Sequence, residues 1–146
     1  MTLLLKCLGC LAATSISAVF PWVNAELMVA ALPAVAASRW ELALLVVIAT
    51  TGQMLGKCAV YWGARRGTDT PSARVSERLE RWRARFAKTS RGATTIVLAS
   101  SVIGIPPFYV TTMLAGALRM SFTRWLIAGS IGRLVRFAAL VLVLTA

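Results

Sequence analysis

Two apolar blocks of this chain are each broken in the middle by proline, and that pattern limits its folds more than any other feature. The first runs from Leu3 to Ala37 and breaks at Pro21; the second covers 93–118 and breaks at Gly104-Ile105-Pro106-Pro107. Proline lacks a backbone N–H and ends or kinks a helix. In hydrocarbon every backbone polar group needs a partner, so broken backbone at membrane depth survives only where it is buried in protein or lines a cavity. Behind the first break, the stretch Phe20 to Leu32 (FPWVNAELMVAAL) places one carboxylate, Glu26, among apolar neighbours. Such a group is costly unless it is protonated, paired or facing water, which makes Glu26 a candidate functional residue.

Composition supports a membrane setting. Hydrophobic residues make up 58% of the 146, above the roughly 45–50% of soluble domains. Residues 42–62 read as the clearest transmembrane helix, with Gly52 and Gly56 at the GxxxG spacing that lets backbones approach closely. Lys57 is expected to snorkel toward the interface, where Tyr61 and Trp62 mark the headgroup level. A last helix, 122–145, carries Arg133 and Arg136 well inside its length. Three apart, they share one face, and each costs about 2.5–3.5 kcal/mol at a helix centre, which favours a polar cavity over lipid.

The charge is lopsided, with 16 Lys+Arg against 5 Asp+Glu. Nine of those cations fall between Arg65 and Arg91, as expected of a cytoplasmic loop under the positive-inside rule. Asp69-Thr70-Pro71 reads as a helix start. In the helix expected after it, Val75, Leu79, Trp82 and Phe86 form a stripe flanked by Arg78, Arg81, Arg83 and Arg85. That pattern suits a helix lying on an anionic membrane surface, and nucleic acid is not expected as a partner.

The chain has no histidine, which excludes His-based triads and His–metal sites. Cys7 and Cys10 form a lone CxxC with apolar flanks, so neither a metal nor a redox site is expected. No cofactor is implied and no enzymatic chemistry is evident. Val23-Asn24-Ala25 could pass for a signal-peptidase site, but Pro21-Trp22 breaks that pattern and another apolar run follows.

The halves also match internally. At a shift of 85, Pro21 falls on Pro106, Met28 on Met113, Arg39 on Arg124 and Trp40 on Trp125; at a shift of 76, Gly56-Lys57 and Tyr61 fall on Gly132-Arg133 and Phe137. Broken apolar segments at corresponding positions point to a site between inverted repeats. The expected fold is therefore an all-α integral membrane domain of two inverted repeats, each a re-entrant hairpin plus a transmembrane helix. The repeats span about 3–64 and 92–146, joined by a basic amphipathic linker, 65–91. With that linker cytoplasmic, the hairpins enter from opposite sides, and Arg119 and Arg124 fall on the cytoplasmic side.

The stretches PWVNAELMVAAL, TGQMLGKCAVYWGARRG, IGIPPFYVTTMLAGALRMSF and GSIGRLVRF resemble the DedA superfamily, whose members carry the VTT or SNARE-associated domain. The resemblance implies opposed re-entrant hairpins broken at Pro21, Pro106 and Pro107. It also implies translocation of lipids, including polyprenyl-phosphate carriers, in the inner (cytoplasmic) membrane. By position, Glu26 matches the acidic residue of the first hairpin, Arg119 the basic residue after the second, and Arg133 and Arg136 the basic end of the last motif. The second hairpin departs from the family in having Val102, Ile103, Gly104 and Tyr109 where arginines are common.

Together these readings give one expected function: a small transporter of an anionic lipid or polyprenyl phosphate. Arg119, Arg133, Arg136 and Asn24 would contact the substrate and Glu26 would couple a proton. A homodimer is in keeping with so few spans. The alternative is a non-transporting membrane assembly protein that uses its glycine faces and basic helix to bind partners.

Overall fold

The computed structural model describes residues 2–20, 24–67, 77, 80, 81, 84 and 90–146. Within them the regular structure is entirely helical: α1 (Leu3–Val19), α2 (Ala25–Ala30), α3 (Leu32–Val35), α4 (Arg39–Gly67), α5 (Ser90–Ile103), α6 (Phe108–Ala117) and α7 (Phe122–Thr145). Helices α4 and α7 are long and apolar enough to cross a membrane, and α1, α5 and α6 are shorter apolar helices. Pro21 and the stripe of Val75, Leu79, Trp82 and Phe86 lie outside the described residues.

The expected 42–62 helix extends at both ends, to Arg39 and Gly67. At its start Glu41 stands in the first turn, where a carboxylate complements the helix dipole. Arg65 and Arg66 occupy the last turn, the end that favours cations. The second break falls where Gly104, Pro106 and Pro107 stand, and the first lies between Val19 and Ala25. Helix α1 gives way to extended backbone at Phe20, and Asn24 starts α2 by accepting a hydrogen bond from the Glu26 N–H. Helix α5 ends at Gly104, whose φ of +86° lies in the region open to glycine. Pro107 then starts α6. Ser100 ties this second break together, donating to the Pro106 carbonyl at 2.6 Å and meeting the Thr111 hydroxyl at 2.8 Å.

Side-chain contacts set the directions. Lys6 pairs with Glu41 at 2.6 Å, Gln53 donates to Ser17 Oγ at 2.7 Å, and Lys57 reaches Ala18, so α1 runs parallel to α4. Ser101 lies against Gly132, and Arg136 reaches Val102 and Ile103, so α5 runs parallel to α7. Helices α4 and α7 are antiparallel: Tyr61 stacks on Trp125 with ring centroids 4.9 Å apart, and Phe137 packs in the cluster of Leu45 and Ala49. Small residues permit both parallel packings. A Cβ on Gly56 would strike the Ser15 carbonyl, and one on Gly132 would strike the Ser101 hydroxyl. This is the close backbone approach that small residues allow between helices in membranes.

Short helices return against the opposite half. In α6, Phe108 packs by Met54 and Trp125, and Gly116 lies against the Tyr61 carbonyl of α4. In α2 and α3, Val29 and Leu32 join Phe137 and Val141 of α7 in one buried cluster. The Trp40–Trp125 match at a shift of 85 does not carry into a shared environment. Trp125 is fully buried on Tyr61, whereas Trp40 is 80% exposed. The match at 76 does: Tyr61 and Phe137 are both fully buried.

Candidate functional site

The two breaks meet at Arg136. Its Nε donates to Glu26 Oε1 at 2.7 Å, and its Nη2 lies 2.5 Å from the same oxygen. Its Nη1 donates to the carbonyls of Val102 and Ile103 at 2.8 and 2.6 Å. Those are among the last carbonyls of α5, which have no intrahelical partner, and a cation at a helix C-terminus also complements its dipole. One guanidinium thus binds the start of the first returning helix to the end of the second outgoing one. Gly104 keeps that place open, since a Cβ there would meet the guanidinium at 3.1–3.2 Å.

Asn24 belongs to the same corner through its side chain, which accepts from the Glu26 N–H at 2.9 Å. That bond orients the first turn of α2 and so aims the Glu26 carboxylate at α7. Asn24 is itself exposed.

Arg133 lies one turn before Arg136 on α7. Its guanidinium carbon stands 4.8 Å from the Phe108 ring centroid and 5.8 Å from that of Phe137, both cation–π distances. Its Nε is buried without a hydrogen-bond partner among the described residues.

Lys57 departs from the expected snorkelling. It is only 4% exposed, and its Nζ donates to the Ala18 carbonyl at 2.6 Å while standing 4.5 Å over the Tyr109 ring. The reason is local: α1 ends at Val19, so its last carbonyls lack partners, and Lys57 is the donor that the α1–α4 packing brings to them. Sequence reasoning gave this residue only an interfacial role. The signal was present in the match of Lys57 with Arg133 at a shift of 76.

Lys57 and Arg133 thus stand by consecutive residues of α6, Tyr109 and Phe108, and Arg136, one turn on along α7, holds Glu26: a cluster of three cations with one carboxylate. Arg119 is not brought there. It is an exposed residue with φ +55° in the turn between α6 and α7, beside Met120, whose carbonyl accepts from the Tyr61 hydroxyl. Along α7, Arg136 lies about 21 Å from the first residue, Phe122, at 1.5 Å per residue. Pro106 and Pro107 are exposed at the second break. Among the described residues no cluster of His, Cys, Asp or Glu could hold a metal ion, and the three cysteines are free.

A family model described as the VTT domain matches residues 20–146. No curated protein and no solved structure matches the chain. The family match spans both helix breaks, the long helices and the whole cationic cluster. The chain thus belongs to the VTT-domain family, the DedA or SNARE-associated group of membrane proteins.

Proposed function

We propose that the protein translocates an anionic lipid across the membrane, with a phosphate headgroup or polyprenyl phosphate bound by Arg133 and Arg136 and a proton exchanged at Glu26. The observation that carries this reading is the meeting of the two broken segments at Glu26–Arg136, beside a second guanidinium whose Nε has no partner among the described residues. Guanidinium groups suit phosphate oxygens because their N–H donors form parallel, charge-assisted bonds.

In this reading α1 with α2–α3, and α5 with α6, are re-entrant hairpins that enter from opposite faces, and α4 and α7 are the spans. The parallel run of each outgoing helix beside its own long helix, with α4 and α7 antiparallel, supports an inverted repeat. The basic segment after Arg65 faces the cytoplasm, and the protein sits in the inner (cytoplasmic) membrane. Arg119, near that face, meets the headgroup at the surface, and Asn24 holds Glu26 in position.

Protonation of Glu26 would remove the anionic partner of Arg136 and free its donors for phosphate; rebinding the carboxylate would expel the phosphate. The opposed hairpins supply two routes to the cluster, and the exchange at Arg136 selects between them. The test is lipid-phosphate translocation in liposomes as a function of pH, comparing wild type with Glu26→Gln. Wild type should move lipid with a pH-dependent rate, and the folded variant should not. Equal rates in the two would remove Glu26 from the mechanism, and no transport by wild type would defeat the reading.

A further inference from the structure

We infer that Lys57 is a ligand of the bound phosphate, shared with Arg133, and that it leaves the end of α1 to take up that anion. The inference rests on the transport reading above. It begins from two neighbouring cations, Lys57 buried and Arg133 half-buried: Lys57 stands over Tyr109 and Arg133 over Phe108, consecutive residues in the first turn of α6. Neither has an ion-pair partner among the described residues. The neighbouring carboxylate, Glu26, is engaged by Arg136.

An ammonium has three donors, and Lys57 makes one hydrogen bond, to the Ala18 carbonyl. Arg133 leaves Nε without a partner among the described residues. Adjacent like charges in a water-poor site are unfavourable until an anion lies between them. Phosphate oxygens match these donors: a charge-assisted bond to phosphate is about twice as strong as one between neutral groups. A lysine on a flexible four-carbon stem can change acceptors where a planar guanidinium cannot as easily. Moving Lys57 from Ala18 to phosphate uncaps α1, the outgoing helix of the first half. Substrate occupancy at the cluster is thereby linked to the seating of that helix, while Arg136 does the same for α5.

The experiment uses the full chain in detergent, with wild type, Lys57→Met and Lys57→Arg titrated with short-chain phosphatidic acid, matched diacylglycerol and inorganic phosphate. Wild type should bind phosphatidic acid and not diacylglycerol. Lys57→Met should weaken that binding by roughly tenfold or more, and Lys57→Arg should recover most of it, as expected for loss and return of one charge-assisted contact. Binding of inorganic phosphate in the same order assigns the site to the phosphate group alone; binding of phosphatidic acid only assigns it to a lipid headgroup. Unchanged phosphatidic-acid binding in Lys57→Met overturns the inference and leaves the transport reading standing. Failure of wild type to prefer phosphatidic acid to diacylglycerol overturns both.

A second measurement needs no variant. Hydrogen exchange at the Val19 and Phe20 amides of wild type should accelerate when phosphatidic acid binds, because the end of α1 is released. Slowed or unchanged exchange there overturns the inference.

Discussion

Lys57 and Arg136 do the same work, each for a different pair of helices. Lys57, on α4, donates to Ala18 near the end of α1; Arg136, on α7, donates to Val102 and Ile103 at the end of α5. Each also touches the second residue of a returning helix from the other half, Tyr109 in α6 and Glu26 in α2. A helix that stops among apolar groups leaves carbonyls without partners. A cation from the adjacent long helix satisfies them and, in reaching over, fastens one half to the other.

Removing Arg136 should therefore cost more than removing Glu26. Arg136→Met loses the ion pair and both carbonyl contacts and strands the carboxylate, whereas Glu26→Gln leaves Arg136 on Val102 and Ile103. The pair is 24% and 38% exposed at its two side chains, so the loss for Arg136→Met is expected at about 1–3 kcal/mol, below that of a fully buried pair. Glu26→Gln should cost less than half as much. Thermal or denaturant unfolding in detergent checks the order, and the same cost in both variants would contradict it.

Glycine substitutions should separate by position. A Cβ at Gly56 would overlap the Ser15 carbonyl, while one at Gly9 meets nothing within 4 Å. Gly56→Ala is expected to lose about 1–3 kcal/mol through forced separation of α1 and α4, and Gly9→Ala none. Gly104→Ala adds a left-handed backbone to a close guanidinium, for an expected cost of about 1–3 kcal/mol. Melting temperatures of the three variants test the ranking.

Ser100→Ala should loosen the second break. The hydroxyl is fully buried and bonds the Pro106 carbonyl and Thr111, so its loss takes the donor from that carbonyl and strands the buried Thr111 hydroxyl, at about 1–3 kcal/mol. Protease accessibility at 104–107 should rise. Ser130→Ala, on a half-buried face of α7 with no such bond among the described residues, serves as the comparison.

Lys6 and Glu41 fix the register of α1 on α4 at the end away from Lys57, through a 2.6 Å contact. Glu41 also accepts from the Ala37 N–H at 2.8 Å. Lys6→Glu alone should lower the melting temperature, and the exchange of both residues, Lys6→Glu with Glu41→Lys, should restore part of it. Retention of the wild-type value in the single variant would show that the pair does not hold the register.

Much of the architecture was readable in the chain itself. The prolines and Gly104 marked the breaks because proline removes a donor and glycine alone tolerates φ +86° comfortably. The long helices were legible from uninterrupted apolar length, and their packing faces from Gly52, Gly56 and Gly132. Glu26, Arg133 and Arg136 stood out because charge inside an apolar run is expensive. Of the internal matches, the one around Gly56-Lys57 and Gly132-Arg133 falls in similar surroundings, with Tyr61 and Phe137 both fully buried.

Which charges meet was decided by tertiary structure. Glu26 and Arg136 are 110 residues apart, and no local pattern says that the first returning helix packs on the last span. Lys57 looked like an interfacial lysine, because nothing in its neighbours reveals that α1 ends beside it. Arg119 looked equal to Arg133, yet it sits in an exposed turn near Tyr61. The sequence determined the helices, the breaks and the cost of each buried charge, since those follow from side-chain chemistry and spacing. Only the packing of α1 on α4 and of α2 on α7 decided which charges would share that cost, because pairing depends on distances between segments remote in the chain.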